Sequence, residues 1–294
     1  MNAKTYDKIW TCILYIIAIS VVTLLTVLLG AIIIRGWGFL DFKFLFGKAN
    51  ASEAGSGIGP QLFNSFYLLI LSLAITIPLG IGAGIYLSEY AKEGRLLNFI
   101  RLCLETMSSL PSIVVGLFGL LIFVNTTKWG FTLIGGALAI AIINLPSLTR
   151  VSENAIKAAG KSVKEASLGL GATRWQTIKK VILPSAVPQI LTGVILAAGR
   201  IFGEAAALIY TAGMSAPSTR IAASMTSKAN PFNIFRPAET LAVHIWKLNS
   251  EALAPDAKIV AAKSAAVLIT MVLIFNIAAR ILGKKIHSSY TGQK

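Results

Sequence analysis

Hydrophobic positions in this chain run in long blocks instead of alternating with polar ones. A helix needs roughly 20 apolar residues to cross a hydrocarbon core about 30 Å thick. The blocks predict six such spans: about Ile9 to Ile34, Leu62 to Tyr86, Ile100 to Val124, Phe131 to Leu148, Pro184 to Tyr210 and Lys263 to Ile281. The first is too long for the core of a cleaved leader, and no small-residue cleavage site follows it, so it is expected to remain as an anchor. Pro78, Pro111 and Pro146 fall within or at the ends of spans. A kink is tolerable there if neighbouring helices satisfy the freed carbonyls. The expected fold class is an all-α polytopic membrane protein with six transmembrane helices.

Composition agrees with that pattern. The chain is 55% hydrophobic and 13% charged, whereas soluble domains carry about 25% charge. A net charge of +15 would suggest nucleic acid in a soluble protein. In a membrane protein cytoplasmic loops supply the same excess, so the lipid bilayer is the expected partner and nucleic acid is not. Lys4, Lys8, Lys92, Arg95 and Arg101 fall on one side, with the basic residues of the connection after span four and of the C-terminus. The opposite segments hold fewer basic residues over a greater length. Both termini are therefore expected in the cytoplasm, with loops 36–60 and 211–257 outside. Cys12 and Cys103 lie in or beside apolar stretches and are expected to pack as small apolar groups. Gly80, Gly82, Gly84, Gly116 and Gly119 mark places where helices can approach closely. The Gly-x-Gly-x-Gly run is not a nucleotide loop, because no strand precedes it.

The connection from Ser162 to Pro184, SVKEASLGLGATRWQTIKKVILP, carries the most local information. Ser162 with Glu165, and Thr173 with Gln176, have capping-box spacing. Gly171 lies between them, where a left-handed residue would end the first helix. A short helix, a glycine turn and a second helix are expected, the second carrying Arg174, Lys179, Lys180 and Trp175. Two readings stay open on physical grounds. The pair could transmit force from a soluble partner, or lie on the membrane surface with its basic residues and Trp at the headgroups.

These residues resemble a known signature. ABC-importer permeases carry a cytoplasmic motif of the form EAA-x3-G-x9-I-x-LP. Here Glu165-Ala166-Ser167, Gly171, Val181, Leu183 and Pro184 occupy its places, before the penultimate span as in that family. The resemblance runs from about Leu62 to the C-terminus. It implies a type I ABC importer permease with a cytoplasmic coupling helix, located in a bacterial or archaeal cytoplasmic membrane. It further implies that Glu165, Ala166, Gly171, Ala172, Thr173, Arg174 and Trp175 form the ATPase coupling segment. The subunit would be non-catalytic and bind no cofactor or metal, with ATP-Mg held by two cytoplasmic ATPase subunits. A homologous second permease in a heterodimer and an extracytoplasmic binding protein complete the implied assembly. The layout expected is an anchor span and outer loop over 1–61, a core permease domain over 62–283 and a cytoplasmic tail over 284–294. The core would hold its coupling segment at 149–183 and an outer loop at 211–257.

Three further segments resemble the phosphate-specific branch: LPSIVVGLFG from Leu110, GRIFGEAAALIYTAG from Gly199 and ETLAVHIW from Glu239. Ala205 and Ala207 stand where typical members have Thr and Pro. A charge near the membrane centre costs roughly 2.5–3.5 kcal/mol on insertion scales, which makes an intramembrane ion a functional hypothesis. In a continuous helix Arg200 and Glu204 would share a face. They could form a buried ion pair that orients span five, or Arg200 could line an anion pathway with Glu204 holding it. Guanidinium suits phosphate because its donor fork matches paired oxygens, and the resemblance implies the pathway role. Sulfate or molybdate are alternative oxyanions. A self-sufficient secondary transporter would show internal repeats, which this chain lacks.

Three smaller expectations remain. Glu105 follows Arg101 by four residues and should pair with it locally. His244 and His287 read as surface residues. Pro237 precedes Leu241, Ile245 and Leu248 at helical spacing, which predicts a short amphipathic helix in the outer loop.

Overall fold

A computed structural model describes residues 3–38, 41–48, 55–217, 219–220, 222–251 and 255–291. Parts of the expected outer loops, and the last three residues of the expected tail, lie outside the described residues. Regular structure among those described is helical. The order is α1 Ala3–Arg35, α2 Phe42–Phe46, α3 Gly59–Ile85, α4 Arg95–Ser109, α5 Ser112–Gly119 and α6 Leu133–Gly169. There follow α7 Arg174–Thr177, α8 Leu183–Gly203, α9 Ala206–Thr211, α10 Leu241–Glu251 and α11 Ala257–Thr291. Wider π-helical turns extend α3 over Tyr86–Tyr90 and α5 over Leu120–Thr126, and join α7 to α8 over Ile178–Ile182.

Among the described residues, five helices are long and apolar enough to cross a membrane. They begin at Lys4, Gly59, Leu133, Arg174 and Ala257. The third expected span, Ile100 to Val124, is not one straight helix. α4 and α5 meet at 98° around Leu110 and Pro111. Pro111 has no N–H to continue a helix, and its ring pushes the preceding residue out of the α region. Leu110 and Pro111 are accordingly both extended. α5 with its π turn, residues 112–126, is only about 22 Å long at the helical rise, so the membrane-crossing part is short. α4 has polar Arg95, Asn98, Arg101 and Glu105 among exposed Leu96, Phe99 and Leu102, the composition of a helix lying at an interface.

The core lies where α3, α6, α8, α9 and α11 converge, around Leu68, Ile140, Ala198, Phe202, Leu208 and Met271. α3 packs most extensively on α6. Two of the expected small-residue contacts are used there. A Cβ added to Gly84 would sit 2.5 Å from Ser152 Cβ, and one on Gly80 would sit 3.0 Å from the Leu148 side chain. Gly82 meets nothing within 4 Å. Gly116 and Gly119 serve α5 in the same way against Ala207 and Thr211 of α9.

α1 stands largely exposed and joins α11 near its end, at the close approach of Gly36 to Ala262 and Ala266. Cys12 on α1 and Cys103 on α4 are exposed, not packed inside the bundle as expected.

Candidate functional site

The coupling segment is built from local rules. The expected capping box at Ser162 is not a helix start, because α6 runs unbroken from span four to Gly169. Strong helix formers such as Ala158, Ala159, Lys164 and Glu165 let the membrane helix continue into water. Its end is the expected one. Gly171 has φ +85°, and its N–H donates to the Leu168 carbonyl at 3.0 Å, while the Ala172 N–H reaches that of Ser167 at 3.3 Å. A residue with a Cβ is strained at that φ. Thr173 then starts α7 with a complete capping box: Thr173 Oγ1 accepts from Gln176 N–H, and Gln176 Oε1 accepts from Thr173 N–H at 2.9 Å. Ser167 and Thr177 hydroxyls, 2.9 Å apart, tie the two limbs together. Behind them Ile178 and Ile182 bury against Ile156.

Outward, the segment is bare. Glu165, Ala166, Gly171, Thr173, Arg174 and Trp175 are exposed and Ala172 is half-buried. Leu170 is 90% exposed and Trp175 55%. Apolar side chains this exposed are candidates for cover by another protein or by the membrane surface.

Two buried carboxylates brace the helix that carries this segment. Glu89 of the first π turn meets Lys164 Nζ at 2.6 Å. Glu153 Oε1 accepts from Arg101 Nη2 at 2.6 Å and Lys157 Nζ at 2.7 Å. Arg101 therefore pairs across to α6, and not with Glu105 as expected. Glu105 instead lies 3.5 Å from Arg150, both of them well exposed. An i,i+4 pair within α4 loses to a desolvated carboxylate on the neighbouring helix, where an ion pair is stronger.

In span five the structure separates what the sequence placed on one face. α8 ends at Gly203, and Glu204 is extended at φ −74°, ψ 123°. Its Oε1 accepts from the Ala207 N–H at 3.2 Å, capping α9. Arg200 forms no ion pair with it among the described residues. Arg200 lies instead on an exposed stripe of α8 with Thr192, Leu196 and Gly203, opposite the buried Gly193, Ala197, Ala198 and Ile201.

A polar cluster that the sequence reading missed closes the other end. Arg236 is 1% exposed. It donates to the carbonyls of Pro231 at 3.0 Å and Pro237 at 3.2 Å, and to Asn64 Oδ1 at 2.6 Å. Burial draws its guanidinium below the ordinary pKa, with Tyr67 opposing. Asn64 Nδ2 passes the network to the Glu239 carbonyl at 2.9 Å. The Glu239 carboxylate accepts from Gln61 at 3.1 Å and lies 3.3 Å from His244 Nδ1. His244 is 5% exposed on the expected amphipathic helix, α10, so it is not the surface residue expected. The available signal was Gln61, Asn64 and Ser65 on one stretch of an apolar span, polar groups that needed partners.

The loop containing Arg236 also caps α6. Leu133 and Ile134 N–H donate to the carbonyls of Arg236 and Ile234 at 2.9 Å each. Thr132 Oγ1 takes Gly135 N–H at 3.1 Å, and Thr132 N–H donates to the Thr211 carbonyl at 3.1 Å. All four free donors of that helix start are satisfied.

The chain belongs to the family of binding-protein-dependent transport system inner membrane components, whose profile matches residues 76–288. It is an ABC importer permease subunit. A probable ABC transporter permease protein of Bacillus subtilis, YqgI, is 51% identical over 292 residues, covering 99% of both chains. The phosphate transport system permease protein PstA of Yersinia pestis is 35% identical over 238 residues, covering 80% of this chain and 76% of that one. In fold the chain matches a bacterial ABC transporter involved in the import of alginate, with a TM-score of 0.61 at 16% identity, over 96% of this chain and 97% of the other. The architecture is that of a type I importer permease.

Proposed function

We propose that this subunit forms half of the channel of an ATP-driven importer of inorganic phosphate, with Arg200 on the pathway. The observation that carries the reading is the position of Arg200 at the last turn of α8, on a bare stripe with no carboxylate partner among the described residues. A lone guanidinium at membrane depth is too costly to face lipid. It needs an aqueous path or a second subunit beside it, and its donor fork suits a tetrahedral oxyanion. The phosphate transport permease of Yersinia pestis among its relatives supports that cargo. Sulfate and molybdate offer the same charge and shape class and are the competing cargoes.

In this reading both termini are cytoplasmic, and residues 165–175 dock on one of two ATPase subunits that hold ATP-Mg. A homologous permease covers the bare α8 stripe and the exposed apolar face of α5. The cap around Arg236 faces an extracytoplasmic binding protein. Glu204 serves the pathway by fixing where α9 starts, and so where α8 ends beside Arg200.

The deciding experiment is ATP hydrolysis by the reconstituted complex with its binding protein, across phosphate, sulfate and molybdate. Stimulation by phosphate at the lowest concentration is expected. Stimulation by sulfate or molybdate with none by phosphate would reassign the cargo.

A further inference from the structure

The face of the bundle where α4 crosses α6 holds a pocket of about 330 Å³ that the transport path does not use. Arg101, Leu104, Arg150, Glu153, Asn154 and Lys157 line it. Three cations and one carboxylate are among the lining residues. Both Arg101 and Lys157 donate to the same oxygen, Glu153 Oε1, whose side chain is 7% exposed. One buried negative charge thus holds two cations in place and neutralises only one of them. Arg150 adds a third cation, and Glu105, its exposed neighbour at 3.5 Å, offsets little of it in water. Among the described residues, the rest of the Arg101 N–H donors and two of the Lys157 protons meet no protein acceptor.

Location narrows the ligand. α4 is amphipathic, turns by 98° into α5, and exposes Leu96, Phe99 and Leu102, as a helix at the headgroup level does. Its pocket therefore opens at the depth of lipid phosphates, on the side that the proposed orientation puts in the cytoplasm. Excess positive charge with a guanidinium fork selects phosphate groups, and basic pockets between membrane helices on that side take anionic headgroups.

We propose that this pocket is a phosphate-group site at the cytoplasmic membrane surface, filled by an anionic lipid headgroup or by free inorganic phosphate. It is separate from Arg200 and does not depend on which oxyanion is transported. The test uses the full chain co-purified with its transporter subunits in nanodiscs, with and without Arg200→Gln, so that phosphate held at Arg200 is not counted. One arm measures binding of radiolabelled inorganic phosphate in phosphatidylcholine discs. The other measures phosphatidylglycerol retained from mixed discs by native mass spectrometry. The double variant Arg150→Gln/Lys157→Gln, whose side chains are both partly exposed, keeps the Arg101–Glu153 pair and so the fold, checked by its elution profile. At least a tenfold loss in the double variant is expected in one arm, and that arm identifies the source. If wild type binds neither probe, or the double variant binds both as wild type does, the site does not exist.

Discussion

The two ends of this permease solve opposite problems with similar residues. At the end capped by the Arg236 loop, five polar side chains turn inward: Arg236, Asn64, Gln61, Glu239 and His244 bond one another and the carbonyls of the loop above α6, and among the described residues Gln61 Oε1 and His244 Nε2 are left without a partner. At the coupling end the local geometry is as well determined, by the Gly171 turn and the Thr173–Gln176 box, yet Leu170 and Trp175 face water. One end is finished by its own chain. The other is shaped by its own turn and capping box and left uncovered, as the proposed docking of an ATPase subunit requires. Rigidity before binding means that little ordering entropy is lost when a partner docks.

The contrast implies that damage to the cap should appear as instability, and damage to the coupling segment as lost association. Arg236→Ala should have the largest effect. It removes three charge-assisted hydrogen bonds and strands Asn64 and two loop carbonyls, at roughly 3 kcal/mol or more. Membrane abundance and thermal stability of the purified chain should both fall. Unchanged stability would mean that the cap is no stabilising network.

Trp175→Ala should leave the purified permease as stable as wild type, since the side chain is mostly exposed. It should weaken association with the ATPase subunit by about 2 kcal/mol, the scale of an aromatic interface anchor. Co-purification at matched expression reads this directly, and equal recovery of the ATPase would take Trp175 out of the interface. Gly171→Val should cost about 1–2 kcal/mol through the left-handed backbone, with α7 displaced and coupling impaired in a protein that still inserts. Full transport by this variant would count against the turn.

The smallest effect belongs to Glu204. Alanine removes the cap on α9, at about 1 kcal/mol, whereas glutamine retains an acceptor and should be close to neutral in thermal stability. Equal losses in both variants would show that the charge of Glu204, and not its cap, is what the protein uses.

Much of this was legible in the residues. Long apolar blocks gave the spans, because crossing a bilayer leaves few alternatives to an apolar helix. The Gly171 turn and the second capping box followed from rules that act within four residues. What failed to show was set by distant partners or by breaks. Pro111 was visible, but the 98° turn depended on both Leu110 and Pro111 adopting extended backbone. The break after Gly203 left no comparable mark, so Arg200 and Glu204 looked like neighbours on one helix. Arg101 found Glu153 rather than Glu105 because its partner lies 52 residues on. The Arg236 cluster joins groups up to 183 residues apart, beyond any local pattern.

Phosphate uptake by reconstituted Arg200 variants tests the pathway most directly, measured beside membrane abundance and complex assembly. Arg200→Gln removes the positive charge, and Arg200→Lys keeps it without the donor fork. Both should assemble normally, since no ion pair of Arg200 braces the fold, and both should import phosphate at least tenfold more slowly than wild type, glutamine the more severely. A well-assembled Arg200→Gln complex that imports phosphate at the wild-type rate would remove Arg200 from the pathway.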